Sequence, residues 1–164
     1  MKRLIDVPKN LKHQLIIYLL YGCGMRVGEV LNLKPENIDR AQPCIHIKEA
    51  KGNKDRTVGI STKILDLIDR YLYEYRPEKH LFNGQFSLRY TDSSINQFLK
   101  RYARQAHISK KIHAHLLRTC YAVHCLNKNA DMGLLQRAMG HSSVKTTHHY
   151  TKMSNAHLKI NTLI

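Results

Sequence analysis

The sequence predicts a mainly α (α+β) fold, one helical domain carrying a small antiparallel sheet. Three observations lead there. Apolar residues recur at helical spacing in most of the longer segments, and alternation with period two is confined to two short stretches. The length, 164 residues, gives room for one domain with a real core and is too short for two comfortable ones. A single domain over 1–164 is therefore expected.

Taken in order, "LKHQLIIYLLYGC" places Leu11, Leu15, Ile16, Leu19 and Leu20 on a helical stripe that Gly22 and Gly24 end. "RVGEVLNL" resumes that spacing with Val27, Val30 and Leu31 until Pro35 stops it. "CIHIKEA" alternates, "RTVGIS" less cleanly, and the polar "KGNKD" between them predicts a β-hairpin with a basic tip. Ser61 can cap a helix whose face is Ile64, Leu65, Ile68, Tyr71 and Leu72. "RPEKHLFNG" reads as a loop with room for one very short strand. Asp92 or Ser93 can cap a helix through about Arg104. "HLLRTCYAVHCLNKN" and "DMGLLQRAM" follow as short helices, the second broken at Gly140, and Ser142 can cap a third over "SSVKTTHHY". The tail "NAHLKINTLI" is apolar at Leu158, Ile160, Leu163 and Ile164, and would pack at home or on a neighbouring protomer.

Charge narrows the function. Lys and Arg total 27 against 12 acids, a formal +15 before any of the 11 histidines is counted. An excess of that size repels itself and is relieved by a polyanion, with nucleic acid ahead of an anionic membrane surface. The longest apolar run is interrupted by glycines and too short to span a bilayer, and Asp6 and Pro8 interrupt any signal-peptide core. A cytoplasmic protein without membrane partners is expected. Cys23, Cys44, Cys120 and Cys125 form no C-x-x-C pair and read as reduced, partly buried thiols rather than a disulfide framework or zinc site.

Four separated stretches hold candidate chemistry, and each alone has a plain reading. Arg26 with Glu29 could be a surface i, i+3 pair. Lys51 could be a soluble hairpin residue. His115 and Arg118 share a helical face at a commonplace spacing. "GHSSVKTTHHY" holds His141, His148, His149 and Tyr150. A metal site there is poorly supported: His148 and His149 point roughly 100° apart on a helix, and no acid or suitably spaced cysteine lies nearby.

In chain order these stretches give Arg, Lys, His-x-x-Arg, His, Tyr, and that order resembles the tyrosine recombinase (phage integrase) family. "GMRVGEVLNLKPENID" looks like its first arginine box, with Arg26 at the catalytic position and Glu29 as companion. "KGNKDRTVGI" looks like its lysine hairpin, with Lys51 in the catalytic place. "HLLRTCYAVHCLNKNADMGLLQRAMGHSSVKTTHHYT" is similar to the second, Xer-like box, with His115, Arg118, His141 and Tyr150 in family roles. Thr119 stands where Xer-type relatives often have histidine. The resemblance runs from about Pro8 to Tyr150. It implies the family's catalytic-domain fold, a helical unit with a three-stranded antiparallel sheet. Family members usually carry a core-binding domain ahead of this one, and here Met1 stands directly before the catalytic domain, so that domain is expected to be absent.

The resemblance also implies a chemistry that the residue types suit. Nucleophilic attack on a phosphodiester builds negative charge on the nonbridging oxygens, which guanidinium forks such as Arg26 and Arg118 can hold. His115 and His141 can add hydrogen bonds or move protons. Tyr150 is the implied nucleophile: a phenol with a pKa of about 10 needs activation, yet leaves again more readily than an alkoxide. Lys51 is the implied general acid for the departing 5′-oxygen. The outcome is DNA cleavage and rejoining through a 3′-phosphotyrosyl bond, with no metal and no ATP. The implied partners are double-stranded DNA, a homotetramer on DNA and accessory recombination proteins. Alternatives are a DNA-binding regulator of the same fold, type IB topoisomerase-like strand relaxation, and a basic RNA- or phosphate-binding domain. For His113, His124, His148, His149 and His157 the expected role is packing or a DNA-facing polar contact.

Overall fold

The structure, a computed structural model, describes residues 2–48, 55–84 and 89–140. Lys51, His141 and Tyr150 lie outside them, as do the hairpin tip, the helix expected after Ser142 and the apolar tail. The element order is α1 (Lys2–Asp6), α2 (Leu11–Ile17), a π-helical turn (Tyr18–Gly22), α3 (Val27–Asn32), a 3-10 turn (Pro35–Asn37), β1 (Ile38–Asp39), β2 (Cys44–Ile47), β3 (Arg56–Gly59), α4 (Thr62–Tyr75), α5 (Asp92–Gln105), α6 (Ala114–Asn127) and α7 (Met132–Met139). The expected mainly helical architecture with a three-stranded antiparallel sheet is what the chain adopts, in the order β1-β2-β3.

The segment over α2 and its π turn is the centre of the molecule. Leu15, Ile16, Leu19 and Leu20 are completely removed from water, worth about 1.5–3 kcal/mol apiece. α4 packs against α2, and α6 packs against the π turn. The apolar stripe expected there is continuous, but the helix widens where simple periodicity predicts α geometry. Cys23 N–H donates to Tyr18 O at 3.2 Å, an i to i+5 bond, and Met25 N–H donates to Leu19 O at 3.1 Å. A single wide turn of this kind redirects the chain without a proline, and here it delivers Gly24 to the start of α3.

The sheet has two unlike faces. Ile38, Ile45, Ile47 and Val58 are buried on one, and the register that opposes Ile45 to Val58 also opposes Ile47 to Arg56. Arg56 therefore points with the core residues. The strand β1, only two residues long, is too short to be recognised by alternation.

Three local expectations are corrected. Thr91 caps α5, accepting the Ser94 N–H at 3.1 Å, one residue ahead of the predicted Asp92 or Ser93. Ser61 occupies the N-cap of α4 but its side chain makes no capping bond. The described part of the loop after α4 holds no strand; Leu81 N–H instead donates to Leu33 O at 2.7 Å, tying that loop to the end of α3. All four cysteines are free thiols. Among the described residues no helix is long and apolar enough to cross a membrane.

Candidate functional site

A small satellite core sets the site's position. Ala122 on α6 and Leu135 and Met139 on α7 are buried together against Tyr121, Val123 and Leu126. This packing fixes α7 on α6, so the C-terminal end of α7 is held in place. The last carbonyls of a helix lack intrahelical acceptor duty and carry the negative end of its dipole.

Three arginines from three different elements take those carbonyls. Arg56 Nη1 donates to Ala138 O, Arg118 Nη2 to Met139 O at 2.6 Å, and Arg26 Nη2 to Gly140 O. Gly140 adopts φ 62°, and a Cβ there would stand 2.8 Å from Arg56 Cδ and 3.3 Å from Arg26 Nη1. The left-handed backbone disfavours a side chain here, and the Arg56 and Arg26 side chains would have to shift to admit one.

Glu29 is the hub that orients two of the three. Its Oε2 accepts the Arg26 backbone N–H at 2.7 Å and Arg56 Nη2 at 2.7 Å, while Oε1 accepts Arg26 Nη1 at 2.8 Å. The Glu29 and Arg56 side chains are only 7% and 8% exposed, whereas Arg26 keeps 27%. Burial alone would push the Glu29 carboxyl up, but the hydrogen bonds and charge of Arg56 and Arg26 outweigh it and hold it below its ordinary value. With one carboxylate among three guanidiniums, the cluster keeps a net positive charge.

Arg118 is positioned differently. It lies on the buried stripe of α6 with Ala114 one turn before it and Ala122 one turn after, small residues that leave room for a guanidinium. Its Nη1 donates to Gly24 O at 2.5 Å, and the residue is 2% exposed. Gly24, at φ 61°, sits so close beneath Tyr121 that a Cβ would meet the ring at 2.3 Å. The glycine turn after the central helix thus holds one end of the arginine that α7 holds at the other. His115, a turn earlier on α6, is exposed; burial first, then Arg118 and His113, press its imidazole below the usual value.

Of the sequence candidates, Arg26, Glu29 and Arg118 meet in one cluster and His115 flanks it. Lys51 belongs to the segment joining β2 to β3, and His141 follows Gly140 directly in the sequence. Arg56 was missed. The available signal was strand alternation: Arg56 shares a face with Val58, so a charged side chain points inward and needs a carboxylate. His113 caps α6, its Nδ1 accepting the Leu116 N–H at 3.3 Å, and His124 Nδ1 is 2.8 Å from the Tyr21 hydroxyl, so both make contacts within the chain. Chemically, the cluster is a set of preorganised cations, of which Arg26 is the most open to an approaching anion.

Short helices around a three-stranded sheet, with arginines from α3 and α6 converging on one helix end, define a class, and the comparison with known proteins names it. The chain belongs to the phage integrase family, whose model matches residues 1–157. Tyrosine recombinase XerA of Pyrococcus horikoshii is 32% identical over 164 residues, covering 96% of this chain and 56% of that protein. The crystal structure of XerA recombinase superposes with a TM-score of 0.84 at 31% identity, over 92% of this chain and 55% of that one. XerH site-specific recombinase, bound to palindromic difH substrate in a post-cleavage complex, gives 0.83 at 25% identity, over 99% of this chain and 49% of that one. The chain spans about half the length of these relatives.

Proposed function

We propose that this chain is the catalytic domain of a site-specific DNA recombinase that breaks and rejoins strands through a 3′-phosphotyrosyl intermediate. The observation that carries the proposal is the convergence of Arg26 and Arg118, from distant segments, on adjacent carbonyls at the end of α7. In this reading the two guanidiniums hold the nonbridging oxygens of a scissile phosphate and stabilise the extra charge of the five-coordinate transition state. Arg56 and Glu29 hold Arg26 in place. His115 and His141 supply hydrogen bonds or move the phenol proton. The Tyr150 oxygen attacks phosphorus, the bond to the 5′-oxygen breaks, and Lys51 gives that oxygen its proton. Because one phosphoester replaces another, the intermediate keeps the energy for resealing. The scheme uses neither metal nor ATP.

The partner is double-stranded DNA, supported by the +15 charge and by the DNA bound in the XerH complex. On DNA four protomers work together, the tail around Leu158 to Ile164 docks on a neighbour, and accessory recombination proteins join the complex. The setting is the cytoplasm.

The test is covalent capture on nicked suicide duplexes with randomised flanks, from which the cleaved end diffuses away. Wild-type protein should give a denaturant-resistant protein–DNA adduct that is absent in Tyr150→Phe. DNA binding without any adduct would replace this reading with a DNA-binding regulator. Plasmid relaxation without strand exchange would replace it with a topoisomerase. Separately, removing residues 155–164 should reduce the sedimentation of the DNA complex; an unchanged assembly overturns the docking role of the tail.

A further inference from the structure

The outer face of the sheet holds three side chains that the recombinase chemistry does not use. Cys44 and His46 alternate along β2, hence share a face, and Asp39 on β1 is the direct cross-strand partner of Cys44, hence shares it too. This is the face opposite to Ile45, Ile47, Val58 and Arg56, so the group is separate from the arginine cluster.

The distances are those of donors around a gap. Cys44 Sγ lies 3.8 Å from His46 Nε2, and His46 Nε2 lies 3.7 Å from Asp39 Oδ2. All three donor atoms fall within 4.8 Å of one another. The nitrogen–oxygen separation is too long for a hydrogen bond. Donors bound at about 2.0–2.3 Å around a tetrahedral ion stand roughly 3.3–3.8 Å apart.

The surroundings also aim the donors. Asp39 Oδ1 accepts the backbone N–H groups of Ala41 at 2.8 Å and Gln42 at 3.0 Å, which leaves Oδ2 toward His46. His46 Nδ1 lies 3.3 Å from Thr57 Oγ1, its cross-strand neighbour on β3. With Nδ1–H donating to that hydroxyl, the lone pair sits on Nε2 and faces the other two donors, the outer-shell arrangement of metal-bound histidine.

We propose that Asp39, Cys44 and His46 bind a divalent ion of borderline softness, Zn²⁺ first among them, which clips β1 to β2 and leaves a fourth position for water. One sulfur, one nitrogen and one oxygen donor fit Zn²⁺ or Co²⁺ better than Mg²⁺ or Ca²⁺. The proposal stands independently of the recombinase reading. Sequence spacing hides the site, since D-x4-C-x-H becomes a cluster only through the strand register.

The test is titration of the full chain with Co²⁺, followed by displacement with Zn²⁺. One ion per chain should bind with a thiolate-to-cobalt charge-transfer band, and Zn²⁺ should raise the melting temperature. Cys44→Ser should abolish the band, while Asp39→Asn and His46→Gln should each weaken binding at least tenfold. Thr57→Val, at an exposed position that supplies no donor, should weaken it about tenfold through the lost orientation of His46. Circular dichroism without metal establishes that each variant is folded, and Thr57→Val serves if a ligand variant is not. Absence of the band in wild type, its persistence in Cys44→Ser, or affinity indifferent to Asp39 and His46 overturns the proposal.

Discussion

Among the described residues His13, His80 and His115 have imidazoles pressed below their usual value with burial as the leading cause, and the surroundings of His13 and His115 differ most usefully. His13, on α2, is enclosed: its Nδ1 is 2.8 Å from the Tyr102 hydroxyl and its Nε2 3.1 Å from that of Tyr90. Phe98 stacks on the ring with centroids 4.1 Å apart. His115, on α6, is exposed and borders the buried Arg118, with His113 parallel to it at 6.5 Å. The enclosed ring has both nitrogens committed to structure. The exposed one faces solvent beside a fixed cation, where neutral imidazole can accept or pass a proton. A lowered pKa therefore does not by itself mark a working residue; the neighbours and the access decide.

The sharpest way to break that comparison is to remove the cation beside His115. Arg118→Ala should lower cleavage of suicide DNA by about 10²–10³-fold, as for loss of one oxyanion donor. DNA affinity in a filter or fluorescence assay should fall far less, because many other cations hold the backbone. Equal losses in both assays would mean that Arg118 serves affinity alone. A His13→Ala variant, by contrast, should melt earlier while its remaining folded protein still cleaves.

Next in size is the carboxylate that anchors the arginines. Glu29→Gln leaves the Arg26 and Arg56 guanidiniums without their counter-charge in a buried setting, which costs about 3–5 kcal/mol, readable by urea denaturation. The pH dependence follows from the same bonds. Since the Glu29 carboxyl is held below its ordinary value when folded, its stabilisation is complete above that ordinary value. It fades as pH falls toward the lower folded one. The wild-type advantage over Glu29→Gln should shrink on acidification through that range, and an advantage flat down to acid pH would contradict the hub.

How much of this was legible in the sequence differs by region for physical reasons. Arg26, Glu29 and Arg118 could be singled out because each sits in an ordered motif, and helix periodicity puts His115 and Arg118 on one face. Their meeting at the α7 carbonyls could not, since it depends on how the satellite core of Leu135 and Met139 seats α7 on α6. Arg56 escaped because only strand parity turns it inward, and parity is hard to read over four residues. The Asp39, Cys44 and His46 group escaped because β1 has two residues and no pattern of its own. The π turn at Tyr18 escaped because one extra residue in a helix barely disturbs an apolar stripe buried on several sides. The His13 cage joins α2 to residues 77 and 89 positions away, contacts that no local pattern reports.

The smallest effect tests the enclosed histidine directly. Burial foremost, then Arg101 and Lys12, lower the His13 pKa from 6.5 to about 4. The unfolded chain therefore takes up this proton first as pH falls. His13 stabilises the fold fully above pH 6.5, progressively less between 6.5 and about 4, and no further loss comes from this group below that. One proton limits the slope to about 1.4 kcal/mol per pH unit. Replacing His13 by Gln should remove that slope from unfolding free energies measured across the window, since carboxylate contributions are common to both proteins and cancel in the difference. His115→Gln should remove a smaller share of the slope, because that ring is also lowered by partial burial and by Arg118 yet stays largely open to solvent, and should in addition alter the pH profile of cleavage. If both substitutions flatten stability alike, the cage around His13 is no tighter than the open site, and the contrast between the two rings disappears.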